Sequence, residues 1–212
     1  MGHYPFEEGV AGTLRDNHAT SESSSYLLAA SEIVQLAQDV LAPGQYGDAE
    51  LVAKQLTGSK KSKDSARARL LEIVCPPPKR PIYYAQHEIQ FLPRWTRDAL
   101  RDLGDYVDMM VKSATYERQR SKRIFRVSFG PAIDAFRKYW PEQGKLADVL
   151  ERYNRFLYRP AKHDFKLPRG RVHHRFTSRE VVLSAYVTMK LGEMLAHISK
   201  LANSVKHDKE DI

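Results

Sequence analysis

"TSREVVLSAYVTMKLGEMLAHISKL", residues 177–201, decides the fold. Its apolar residues Leu183, Val187, Leu191, Met194, Ile198 and Leu201 recur every three or four positions. That spacing lines one face of an α-helix and cannot line one face of a strand. Thr177 and Glu180 stand three apart at its start, the spacing of a capping box, so a long final helix is expected from this point.

Outward from this helix the same period returns. Leu146, Val149/Leu150, Tyr153 and Phe156/Leu157 predict a helix that stops near Pro160, because proline disfavours the helical conformation of the residue before it. A shorter helix is expected after Pro131, with Ile133, Phe136 and Trp140 on one side. After Pro93, a residue suited to a first helical turn, Trp95, Ala99, Leu103, Tyr106 and Met110 predict a third long helix, which loses its period in "YERQRSKRIFRVSFG". Nearer the start, Tyr26/Leu27, Ala30, Ile33/Val34, Ala37 and Val40/Leu41 form a helical pattern from Ser23 that ends at "APG". "DAELVAKQL" and "DSARARLLEIV" suggest two more helices, with Asp48 and Asp64 as candidate caps.

The expected class is all-α, a helical bundle built around three long amphipathic helices with an additional N-terminal helical region. The domain reading is a loose arm over 1–21, helices over 22–75, a Pro-rich connector over 76–92 around "CPPPKRP", the main bundle over 93–205 and a tail over 206–212. Only "RIFRVSF" and "PIYY" could make short strands. Cys75 is the single cysteine, which excludes an internal disulfide and fits a reducing compartment. With no signal-peptide pattern and no run of about 18 apolar residues, a soluble, cytoplasmic protein is expected.

The formal charge is +8, with 34 Lys and Arg against 26 Asp and Glu, and such an excess favours a polyanionic partner. It is concentrated. Nine Lys/Arg face one acid between Arg152 and Arg179, five face none between Arg118 and Arg126, and five face one between Lys60 and Arg69. Ser and Gly around the last patch fit either a solvated face or a flexible connector.

On a helix, Arg152, Arg155 and Arg159 fall at three- and four-residue spacing along one face, while Tyr153 and Phe156 turn inward. Lys162 and His163 follow at the helix end, where the dipole favours a protonated imidazole. An acid/base beside phosphate-binding cations suits metal-free RNA cleavage, and equally suits phosphate binding without chemistry. The candidate catalytic residues are therefore His163, Arg159, Arg155 and Lys162. The candidate nucleic-acid contacts are Arg152, Asn154, Tyr158, Lys166, Arg169, Arg171, His173, His174 and Arg175.

A metal at His173, His174, His163 and Asp164 is disfavoured by the surrounding arginines and by the lack of HExxH spacing, so no cofactor is expected. Asp98, Asp102 and Asp105 lie close to one stripe of their helix, with Asp108 farther along it. They could pair with the Arg row of a neighbouring helix or hold a divalent ion, and interspersed Arg94, Arg97 and Arg101 favour a salt-bridged surface.

A long amphipathic helix, a penultimate helix ending in "NRFLYRPAKH" and a long last helix together resemble the HEPN superfamily of four-helix bundles, over about residues 92–205. The resemblance implies a homodimer that brings together two Arg–His motifs, metal-independent ribonuclease activity, and a setting in a toxin–antitoxin or defence system with an antitoxin partner. Family motifs space Arg and His by four to six residues. Here seven lie between Arg155 and His163, three between Arg159 and His163, and four between Arg169 and His174. A silent HEPN-like domain used for binding or dimerisation fits the same residues. The competing expectation is a non-enzymatic helical interaction protein that docks an acidic protein partner or duplex DNA through its basic face.

Overall fold

Helices form wherever the apolar period is sustained in the computed structural model, which describes residues 31–74, 96–162 and 177–210. In chain order these are α1 (31–40), α2 (Pro43–Leu56), α3 (Lys60–Val74), α4 (Thr96–Gln119), a 3-10 turn (Lys122–Arg126), α5 (Phe129–Tyr139), a second 3-10 turn (Pro141–Gln143), α6 (Gly144–Tyr153), a π-helical turn (Asn154–Tyr158), α7 (Arg159–Lys162) and α8 (Ser178–Glu210). Among the described residues there is no strand, as expected for an all-α bundle. The N-terminal arm, residues 22–30 of the first expected helix, the connector with "PIYY", Trp95 and residues 211–212 lie outside the described residues, while α8 continues through 206–210 of the expected tail.

The spine is α8, with α4 packed along it and α2 and α3 on another side, while α5 packs against α4. One core runs from Ile33 of α1 through Leu103 and Val107 of α4 to Ile198 of α8. The N-terminal helical region thus shares its burial with the main bundle. By length and composition Ser178–Leu201 could cross a membrane, but 72% of that window is buried inside the fold, which accounts for its apolar character.

The predicted cap of α8 forms. Thr177 N–H donates to Glu180 Oε2 at 2.6 Å, and Glu180 N–H donates to Thr177 Oγ1 at 3.3 Å. Along α8, Leu183, Val187, Leu191 and Ile198 are buried, whereas Met194 and Leu201 are exposed and Leu195 takes the inward place. The 3.6-residue turn drifts against a fixed three-four count, and Leu195 is the neighbour it favours.

Several boundaries differ from expectation. Helix α2 begins at Pro43, with Gln45 Oε1 accepting the Ala42 N–H at 3.2 Å, so Asp48 is interior to the helix and not its cap. Ser59, not Asp64, serves α3, its Oγ accepting the Ser62 N–H at 3.3 Å. The Lys60–Arg69 patch is helical and is not a flexible connector. Helix α4 runs to Gln119 and stops at Arg120, whose φ of 59° places a non-glycine residue in the left-handed region. The Arg120 N–H still reaches Tyr116 O at 2.8 Å and closes the helix end. "RIFR" makes a 3-10 turn, not a strand. Finally, the penultimate helix does not stop before Pro160. A proline brings no N–H to the ladder, and the chain meets it with the π-register turn, in which the Arg159 N–H bonds Asn154 O.

Candidate functional site

The site is built on this π turn, because widening one turn rearranges which side chains face in. Tyr153, Leu157 and Tyr158 are buried, Asn154 and Phe156 are half-buried, and Arg155 and Arg159 are exposed. Tyr153 therefore takes the core place expected of it, while Phe156 lies at the margin. The Tyr153 and Thr188 hydroxyls share a 2.8 Å hydrogen bond to α8, and burial pushes the Tyr153 phenol above its ordinary range. Phe129, the first residue of α5, packs edge-on against Tyr153 and Tyr158, with ring centroids 6.4 and 5.3 Å apart. A Cβ built on Gly130 would lie 3.9 Å from Asn154 Nδ2, which places Asn154 against the first turn of α5.

Beneath the turn lies a polar cluster shared with α4. Tyr158 Oη donates to Asp105 and accepts from Lys162 Nζ, and Lys162 Nζ also donates to Asp105 at 3.3 Å. Burial, and then the hydrogen bond to Asp105, raise the Tyr158 phenol, so this hydroxyl keeps its proton and works as a donor. One turn along α4, Lys112 donates to Asp108 at 2.8 Å, and both side chains are buried. Burial raises the Asp108 carboxyl, against the opposing pull of Lys112 and Lys162. Asp98 and Asp102 both hold Arg101, at 2.9 and 3.2 Å. The aspartates of α4 are thus divided between a set around Arg101, in which Asp98 is half-buried and Asp102 buried, and a seam under the π turn, in which Asp105 is half-buried and Asp108 buried. Among the described residues, no group of three or more His, Cys, Asp or Glu could hold a metal.

The predicted row of arginines is split by its partners. Arg152 is held by Asp39 at 2.6 Å and Glu32 at 3.4 Å, and so staples α6 to α1. Arg155 lies over the Phe156 ring at 5.1 Å, and neither Arg155 nor Arg159 forms an ion pair among the described residues. Lys162 is committed to Asp105 and Tyr158. His163, Lys166, Arg169, Arg171, His173, His174 and Arg175, with Asp164, lie outside the described residues.

A second polar assembly escaped the sequence. A cleft of about 590 Å³ opens beside α2, α3, α4 and α8. In it Arg69 bridges Asp48 at 3.1 Å and Glu72 at 3.0 Å, Tyr186 Oη donates to Asp48 at 2.5 Å, and Lys190 pairs with Glu193 at 3.4 Å. The cations of this cleft are each paired within it, so the assembly clamps three helices together. Arg69–Glu72 and Lys190–Glu193 are local i, i+3 pairs, but Asp48, Arg69 and Tyr186 come from distant positions, and no local spacing announces their meeting. Comparison of the chain with family models, characterised proteins and solved structures finds no match.

Proposed function

We propose that this chain is a basic, helical nucleic-acid-binding protein that favours RNA and grips phosphates with the outward side of the π turn. The observation that carries the reading is the pair Arg155 and Arg159, exposed and without carboxylate partners among the described residues, mounted on a turn whose other face is locked into the core. Two free guanidinium groups on a rigid support suit phosphate oxygens, which they contact in bidentate fashion. The charge of +8 supplies long-range attraction for the same ligand.

Cutting RNA without metal is the fuller form of this reading, and it rests on the HEPN-like resemblance. His163 follows Lys162 directly and acts as acid/base, taking the 2′-hydroxyl proton or delivering one to the leaving oxygen. Its copy in a homodimer supplies the complementary step. Lys162, tied to Tyr158 and Asp105, fixes the end of α7, which His163 follows in sequence. Toxin or defence activity in the cytoplasm, restrained by an antitoxin, belongs to the same proposal.

The test is incubation with RNA and DNA oligonucleotides, with and without EDTA, scored for retention and cleavage. Arg155→Ala combined with Arg159→Ala should weaken RNA retention by tenfold or more, on the order of two lost phosphate contacts, without lowering thermal stability. Arg152→Ala should do the reverse, because its partners are Asp39 and Glu32. His163→Ala should abolish EDTA-resistant cleavage and keep affinity. A wild-type protein that retains neither nucleic acid ends the proposal.

A further inference from the structure

The basic segment between Arg118 and Arg126 is not used by the π-turn site, and its cations divide into two sets. Arg118 is spoken for: it pairs with Glu142 at 2.5 Å, donates to Tyr139 O at 2.8 Å and lies 3.5 Å over the Trp140 ring. Arg120 pairs with Glu117 at 3.2 Å. Lys122, Arg123 and Arg126 are exposed and form no ion pair among the described residues.

The 3-10 turn Lys122–Arg126 gives these three a defined arrangement. With three residues per turn, side chains at i and i+3 eclipse, so the turn has three faces. Ile124, only 3% exposed, is its inner face. The other two are outward ridges, Lys122 with Phe125 and Arg123 with Arg126. Ser121 caps the turn by accepting the Arg123 N–H, and the Ile124 N–H reaches Ser121 O at 3.2 Å, so the ridges stand on a closed backbone. Phe125 remains 40% exposed. Its ring is braced on one side by Tyr116, at 5.6 Å between centroids, and Tyr116 in turn carries the Arg120 guanidinium at 5.7 Å.

From this geometry we infer that the turn is a stacking platform for an unpaired base, with Phe125 as the ring and Lys122, Arg123 and Arg126 as contacts for the flanking phosphates. The inference rests on the nucleic-acid reading above and narrows it, since it makes single-stranded RNA the ligand class. An exposed aromatic ring amid free cations gains a π-face partner only from a base outside a duplex; in a helix those faces are already stacked. Chain continuity links the platform to the π turn: three residues beyond Arg126, Phe129 packs on Tyr158. A strand crossing both elements would meet phosphate contacts at each and a base contact at Phe125.

The experiment compares labelled oligouridine with a perfectly paired RNA hairpin by fluorescence anisotropy, using the full chain. Phe125→Ala should weaken oligouridine binding by about tenfold, the usual loss for one stacked base, and leave hairpin binding unchanged. Phe125→Trp should restore it. Arg123→Ala with Arg126→Ala should weaken both ligands and lower the slope of affinity against salt. Matching thermal melts confirm that the variants fold. If wild type binds oligouridine and Phe125→Ala binds it equally well, the platform is wrong while the nucleic-acid reading stands. If wild type binds neither ligand, both fall. If Phe125→Ala loses affinity while the double Arg155/Arg159 variant does not, the platform stands and the π-turn site is overturned.

Discussion

Two glycines set how closely the core elements approach. A Cβ on Gly104 would lie 2.0 Å from Tyr158 Cδ2, and one on Gly192 would lie 2.6 Å from Tyr106 Cε1. The first contact is what allows the π turn to press its tyrosine onto α4 and deliver the phenol to Asp105. Gly104→Ala should therefore destabilise the protein by about 3 kcal/mol or more, since a ring wedged between helices cannot move aside cheaply. On a Tyr158→Ala background the same change should cost much less. A double-mutant cycle by urea denaturation measures the coupling. At this scale little was legible beforehand. Glycines 104 and 192 interrupt good helical patterns without local reason, and their partners lie 54 and 86 positions away in the chain.

At the scale of the element, α4 carries acids whose protonation is coupled to packing. Burial raises the carboxyls of Asp108 and Asp102 above their ordinary value. A raised folded pKa means the native state binds more protons than the unfolded one between the two values. These groups therefore favour folding at low pH, and that contribution is lost as pH climbs through the raised value. Asp39 and Glu50, lowered by their hydrogen bonds to Arg152 and Arg179, act in the opposite sense and lose their contribution as pH falls through their lowered values. Asp108→Asn should remove part of the decline above the ordinary carboxylate range. It should also cost about 3 kcal/mol at neutral pH, because Lys112 would remain buried without its partner. Urea midpoints from pH 4 to 7 for wild type, Asp108→Asn and the double variant with Lys112→Met test both points, and the double variant should recover much of the loss. The cap of α8 was legible because Thr177 and Glu180 are three residues apart. The end of α4 was legible only as the stretch from Tyr116 where its period is lost, and not to the residue, because Arg120 takes a left-handed conformation that sequence ordinarily signals with glycine.

Taken whole, the molecule buries its N-terminal helices against the same α8 that supports α4. Unfolding should accordingly be one cooperative transition, with helical circular dichroism and tryptophan fluorescence giving the same urea midpoint; separate midpoints would show that α2 and α3 form an independent unit. The ion pairs Arg152–Asp39 and Arg179–Glu50 and the Tyr186–Asp48 hydrogen bond tie these helices to the later ones, while Arg69–Asp48 joins α3 to α2. By itself the sequence determined the all-α class, the helices, the cap of α8 and the basic stretches, because each follows from neighbours within one or two turns. Tertiary structure alone decided which cations stay free. Arg152 and Arg155 are three residues apart and chemically alike, yet one meets Asp39 and the other does not. Whether a charge is neutralised depends on what another helix brings within about 4 Å, and that distance is set by packing over the whole chain.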